Sequence, residues 1–235
     1  KISQKIVETV SEEYRVCPFE ISLDASLWAD IVVCDYNYVF DPFVRLQRFQ
    51  PPQGIRLLID EAHQLFPRVN SMFTVEMDSL SLLDAIDEAG VGILGGLDLV
   101  QQEFQALNSG LGSERCRIEV PEKFNKAVLG LLETIRENET ELEGLASLRD
   151  FVFACYRWSA ALDWEFEDSL EYIIERREDQ ILVTRSCIDS SKIIDEATVL
   201  PKFGWSAAIP PNMYPSTVSV VKESMLMIPS VRTGT

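Results

Sequence analysis

The sequence predicts an α/β fold: a partial parallel-sheet domain interrupted by a mainly helical insertion. Two compact β-branched runs, Ala29–Cys34 (ADIVVC) and Ile55–Ile59 (IRLLI), lead into the carboxylates Asp35 and Asp60 and are joined by a long connection. That is the pattern of strands buried in a parallel sheet. From Met77 to Trp158 the apolar residues recur at helical spacing. Two further short strands, Tyr172–Arg176 and Gln180–Cys187, are expected around Arg177-Glu178-Asp179.

The elements follow in order. Ile2, Ile6, Val7 and Val10 give a first helix, which Cys17-Pro18 breaks, and Ser22–Trp28 reads as a short second one. Pro51-Pro52-Gln53-Gly54 is a turn ahead of the second strand. In the insertion, Leu80, Leu82, Leu83, Ile86 and Ala89 share one helix and Leu97, Val100, Phe104 and Leu107 another. Gly110–Ser113 is a loop, and Phe124–Ile135 and Leu142–Trp158 are two more helices across the charged ENETE stretch. The tail from Pro201 holds five of the prolines and a poor strand pattern.

Composition bounds the function. With 235 residues, 46% hydrophobic and 25% charged, the chain is ordinary globular protein. No apolar run approaches the ~18 residues of a membrane span, so no membrane association is expected. The 38 acidic against 21 basic residues give a net charge of −17, which argues against a dedicated nucleic-acid-binding module. Glu133–Asp179 alone holds 14 acids against 5 bases, read either as solvated helix faces or as an acidic face that meets a basic protein partner. The five cysteines are odd in number, widely spaced and without a CxxC pair, so reduced thiols and a cytoplasmic setting are expected. The chain opens on Lys1 with no apolar signal segment, and is read as a processed, excised or incomplete product.

The chemistry concentrates at Asp60-Glu61-Ala62-His63, directly after the IRLLI strand. A strand end sets the first carboxylate at the mouth of a sheet, where it can hold a Mg²⁺ ion bridging the β- and γ-phosphates of ATP. The neighbouring carboxylate can orient and activate the attacking water. His63, the single histidine of the chain, can bond to a second motif and report nucleotide state.

Cys17-Pro18-Phe19-Glu20, then ISLDASLWADIVVCDYNYVFDP ending at Pro42, then LLIDEAH, together resemble the DinG/XPD-like iron–sulfur DNA helicases of superfamily two. The resemblance implies a RecA-like motor domain, with Cys17 as the fourth ligand of a [4Fe-4S] cluster and Asp35–Tyr38 as the strand-end motif. It implies Asp60 for Mg²⁺ with ATP, Glu61 for water and His63 for coupling, in a parent protein that moves on single-stranded DNA. The helices from Met77 to Trp158 stand where that family inserts an arch domain, and Cys187-Ile188-Asp189-Ser190 resembles the stretch after it. Ser206-Ala207-Ala208-Ile209-Pro210-Pro211 and Tyr214 resemble the segment that couples hydrolysis to strand movement, and Met225–Thr233 the start of a second motor domain. The implied organisation is 1–28 end of the iron–sulfur region, 29–75 back part of the first motor domain, 76–170 arch-like insertion, 171–216 return to the motor domain, and 217–235 start of the second.

The chain departs from the family pattern in specific places. No GxxxxGK[ST] occurs, so these residues supply no backbone cradle for phosphates. Cys34, Cys116, Cys155 and Cys187 stand in unrelated contexts and read as small apolar residues, so this chain alone is not expected to hold the cluster. Ala208 replaces the threonine expected in the coupling segment. Two readings result: part of an ATP-dependent DNA helicase, inactive by itself, or a catalytically inactive arch-bearing module that binds a protein.

Overall fold

The computed structural model describes residues 3–45, 55–110, 112–138, 145–178, 180–197 and 225–229. In chain order the elements are α1 (Gln4–Tyr14), α2 (Pro18–Ser26), β1 (Val32–Cys34), α3 (Asn37–Phe40), β2 (Ile55–Leu58), a 3₁₀ turn (Ala62–Gln64), α4 (Leu65–Met72), β3 (Val75–Asp78) and α5 (Ser79–Glu88). They continue with α6 (Val91–Ser109), β4 (Arg115–Ile118), α7 (Glu122–Glu137), α8 (Ala146–Leu162), β5 (Leu170–Arg177), β6 (Gln180–Cys187), α9 (Ser191–Ala197) and β7 (Met225–Pro229). Two compact units result: Lys1–Phe40 with Val44–Leu65 and Asp195–Thr235, and Asp41–Phe43 with Phe66–Ile194.

Local chemistry sets the element ends. Helix α1 stops where Arg15 turns left-handed at φ 52° and returns its N–H to Ser11 O. Pro18 opens α2, where its missing N–H would have been an orphan in any case. Asp78 ends β3 and caps α5, its Oδ1 accepting Ser81 N at 2.8 Å and its Oδ2 the Ser81 hydroxyl at 2.6 Å.

The first unit carries a three-stranded sheet in the order β1-β7-β2. Val33 faces Leu226 and Leu57 faces Met227, both in antiparallel register. The expected parallel sheet is therefore corrected: every ladder among the described residues is antiparallel. Strands β1 and β2 do run the same way, but β7 enters between them and occupies both inner edges.

The second unit carries a four-stranded antiparallel sheet, β3-β6-β5-β4. Its stretch read as mainly helical contains two strands, β3 and β4, of four residues each. Such short alternations are too brief to interrupt a helical period counted over longer windows. Strands β5 and β6 form a hairpin closed at Arg177↔Gln180. On β5 the buried residues alternate as Leu170, Tyr172 and Ile174. Tyr172 and Ile174, with Val75, Met77 and Val183, share one core with α5, α6, α7 and α8. Through it runs an aromatic chain: Phe104 against Phe124 at 4.9 Å, Phe124 against Trp158 at 5.4 Å, and Trp158 against Tyr172 at 6.1 Å. The first two pairs meet edge to face, the geometry ring quadrupoles favour.

Cross-strand register also places Arg185 on this core face, between Val75 and Tyr172. It is buried, donates to Ala161 O at the end of α8, and lies 5.5 Å from the Tyr172 ring and 5.8 Å from that of Trp164. Burial draws its guanidinium pKa down, while the helix C-terminus it caps favours a cation.

Two adjacent glycines in α6 give opposite expectations. A Cβ on exposed Gly95 would meet nothing within 4 Å, so Gly95→Ala should stabilise by about 0.5–1 kcal/mol through helix propensity. On buried Gly96 it would lie 2.9 Å from Leu131 Cδ1 and 3.4 Å from Leu131 Cα, so the same change should cost about 1–3 kcal/mol of overpacking, outweighing that gain. Urea unfolding of the two variants checks the sign of each.

Glu88, at the end of α5, closes the start of α8 across the fold. Its Oε2 accepts Leu148 N at 3.0 Å and its Oε1 the Ser147 hydroxyl at 2.9 Å. The Leu148 N–H first, then Ser147, hold its carboxyl below the ordinary 4.5. A lowered folded-state value means the stabilisation is complete above 4.5 and is lost as pH falls through the lowered value. Thermal melts of wild type and Glu88→Gln should therefore differ most at neutral pH and converge in acid. A gap that persists unchanged in acid would contradict this role.

Candidate functional site

The site forms where β2 runs out. Leu57, Ile59, Ala62 and Leu65 are all buried and anchor the segment on both sides of the acids. Asp60 follows Ile59 directly and is buried with it, only 4% exposed. The hydroxyl of Tyr36, just after β1, donates to the Asp60 carbonyl and ties the two strand ends together.

Asp60 uses one carboxylate oxygen locally: Oδ1 accepts Glu61 N at 2.8 Å. Its Oδ2 is buried and has no hydrogen-bond partner among the described residues. An orphaned buried carboxylate oxygen is costly, and a hard cation is the ligand that offsets it. Mg²⁺ typically takes one or two protein carboxylates and completes its shell with water and phosphate oxygens, so this donor fits that ion.

Glu61 is left-handed, at φ 47° and ψ 43°. For a residue with a Cβ that costs on the order of 1–2 kcal/mol, and such strain collects at functional sites. The bond from Glu61 N to Asp60 Oδ1 and the bond from Gln64 N to Glu61 O, at 2.7 Å, hold it there. The turn leaves the Glu61 side chain 52% exposed, with Oε2 3.0 Å from His63 Nδ1. Gln64 Nε2 lies 3.0 Å from His63 Nε2. Both ring nitrogens of His63 therefore have a polar neighbour, Glu61 on one side and Gln64 on the other. Half-open and oriented by an imidazole, Glu61 is arranged to accept a proton.

Asp35 turns the chain after β1 by accepting Asn37 N at 3.0 Å, and the Tyr38 ring stands 6.2 Å from that of Phe19. Cys17 is exposed at the start of α2. No group of three or more His, Cys, Asp or Glu among the described residues could hold a metal ion, so the described part offers no set of cluster ligands around it. Cys155 and Cys187 are buried, Cys34 and Cys116 half-buried, and burial pushes the Cys34 and Cys187 thiols up to about 11. Those two are neutral packing groups at neutral pH. Ser206, Ala207 and Ala208 lie outside the described residues.

Sequence reasoning named Asp60, Glu61 and His63 but missed the part of Gln64. It listed Tyr36 within a motif without a bonding role. Only the spacing of two strand ends, which the sequence does not record, makes a tyrosine 24 positions away the partner of Asp60.

The family comparison falls on this same segment. Residues 3–82 match the DEAD_2 family. The matched stretch contains Cys17, Asp35–Tyr38 and the whole Asp60–His63 turn. The chain is similar to the Fanconi anemia group J protein homolog of Gallus gallus, 33% identical over 57 residues, covering 24% of this chain and 5% of that protein. It is similar to the Regulator of telomere elongation helicase 1 homolog of Caenorhabditis briggsae, 28% identical over 79 residues, covering 34% and 8%. The corresponding homolog of Anopheles gambiae is 26% identical over 90 residues, covering 38% and 9%. The chain thus spans less than a tenth of the length of these curated relatives. Among solved structures, XPD_Helicase aligns over 77% of this chain and 32% of its own, at 15% identity and a TM-score of 0.46. Residues 3–82, which carry the site, are thus similar to the DEAD_2 family.

Proposed function

We propose that this chain is part of an ATP-dependent DNA helicase that couples ATP hydrolysis to unwinding of DNA and movement along single-stranded DNA. The observation that carries the reading is the turn after β2: a buried Asp60 with one unpartnered carboxylate oxygen, beside a strained, half-open Glu61. In this reading Asp60 holds Mg²⁺ with ATP, Glu61 accepts the proton of the attacking water, and His63 couples the turn to the Ser206–Ala207 segment. When bound, the ion would neutralise charge building on the phosphates. The protein's own part is to hold Asp60 dehydrated, to fix Glu61 by its neighbours' bonds, and to hold the His63 ring between Glu61 and Gln64.

The remaining assignments extend the same proposal: Cys17 as one of four [4Fe-4S] ligands in a longer DinG/XPD-like protein, a role in DNA repair, and a cytoplasmic location. Hydrolysis needs phosphate-cradling and transition-state groups that these residues do not include, so the chain by itself should be inactive. The test is an ATPase assay on the whole encoded protein, with and without single-stranded DNA. DNA-stimulated turnover supports the proposal, and absence of any turnover refutes it.

One observation favours a second reading, a protein-binding module. Residues 66–194 hold 25 Asp/Glu against 12 Lys/Arg, so most of the negative charge sits in the second unit. A surface of that sign selects a basic protein partner over a phosphate backbone.

A further inference from the structure

Three non-glycine residues take a positive φ among those described: Arg15, Glu61 and Glu178. Arg15 closes the end of α1 and Glu178 lies in the turn between β5 and β6, settings where that conformation is ordinary. Glu61 has no such setting, since it follows a strand and precedes a 3₁₀ turn. Its φ is the rotation about its own N–Cα bond, so the value is fixed by the orientation of the planar peptide unit ahead of it.

That unit, Asp60–Glu61, is gripped on both edges. Its N–H donates to Asp60 Oδ1 at 2.8 Å, and its C=O accepts the Tyr36 hydroxyl. The first bond is made inside the turn, by the side chain of Asp60 itself. The second comes from outside it, 24 positions back along the chain. Tyr36 is itself held on both sides: Asp35 Oδ1 accepts Asn37 N at 3.0 Å, and the Tyr36 carbonyl accepts Val39 N at 3.0 Å and Phe40 N at 2.9 Å. Phe40 is fully buried and anchors that short helix.

Carrying Glu61 from φ 47° to the ordinary helical value turns the peptide unit by about 110°. Such a turn takes the Asp60 carbonyl off the Tyr36 hydroxyl. Tyr36 and Asp60 are both buried, so water is not at hand to replace the lost donor. We infer that Tyr36 is a positioning residue: its hydroxyl locks the Asp60–Glu61 peptide unit and so keeps Glu61 left-handed, with its carboxylate beside His63. A relaxed Glu61 would carry that carboxylate off the half-open position from which it takes a proton. The effect on turnover rests on the helicase reading, whereas the effect on the backbone does not.

Tyr36→Phe keeps the ring and removes only the hydroxyl. In the whole encoded protein it should lower ATP turnover by about 10- to 100-fold and leave nucleotide affinity unchanged. Crystals should show Glu61 at positive φ in the wild type and at negative φ in the variant. Thermal melts give a second measurement, through Glu61→Gly. Glycine bears no penalty at positive φ, so in that background no strain is released when the hydroxyl goes. Tyr36→Phe should therefore lower Tm more in the Glu61→Gly background than in the wild type. Glu61 left-handed in both crystals, equal Tm losses in the two backgrounds, or full turnover by Tyr36→Phe beside an active wild type would each overturn the inference. A variant without a cooperative melt would overturn it as well, by making the hydroxyl a requirement of folding. If the wild type hydrolyses no ATP, the helicase reading fails, and the crystals and melts still decide the part of Tyr36.

Discussion

Glu61→Gln in the whole protein is expected to lower ATP turnover by about 10²- to 10⁴-fold while nucleotide binding survives. Glutamine keeps the size of the side chain, and its carbonyl can still accept from His63 Nδ1, which lies 3.0 Å from Glu61 Oε2. The backbone bonds that hold the left-handed turn involve Asp60 Oδ1, Glu61 N, Glu61 O and Gln64 N, none of which the substitution touches. What is lost is the capacity to take a proton from water, so the defect should fall on turnover and spare affinity. Fluorescent-nucleotide titration and steady-state hydrolysis on the same preparation separate the two. Normal turnover by the variant would remove Glu61 from the proposed role.

Trp158→Ala is expected to cost about 3–5 kcal/mol, a large share of the ~5–15 kcal/mol that holds a domain together. Trp158 is fully buried and touches Phe124 and Tyr172, so truncation opens a cavity in the middle of the aromatic chain. Its indole Nε1 also donates to Asn125 Oδ1 at 3.0 Å, within the core. Trp158→Phe restores most of the volume but leaves that carbonyl oxygen without its donor, at about 1–3 kcal/mol. Urea unfolding at constant m-value should rank wild type above Trp158→Phe and Trp158→Ala lowest. Equal costs for the two variants would show that the hydrogen bond, rather than the packing, dominates at this position.

How much of this was legible beforehand depended on the range of the interactions involved. Helix α1, the hairpin of β5 and β6, and helices α5 to α8 came through in the 3.6- and 2-residue periods, because periodicity is written in neighbouring residues. Helix α2 was placed four residues late, since the Pro18 that breaks one helix also starts the next. Strands β3 and β4 were hidden by their length, and the antiparallel sense of the first sheet by the distance of β7, which lies about 170 residues from β2 along the chain.

The same division runs through the site. The sequence by itself determined that two acids and the single histidine follow a buried strand, since side-chain identity and strand pattern are local properties. Only the tertiary structure decided that Asp60 keeps one oxygen without a partner among the described residues, that Tyr36 grips its carbonyl, and that Glu61 is turned left-handed beside His63. It also decided that Glu88 caps a helix 60 positions away and that Arg185 caps the end of the same helix from within a sheet. Buried polar groups must find partners wherever the fold brings them, and no spacing along the chain records which partner that will be.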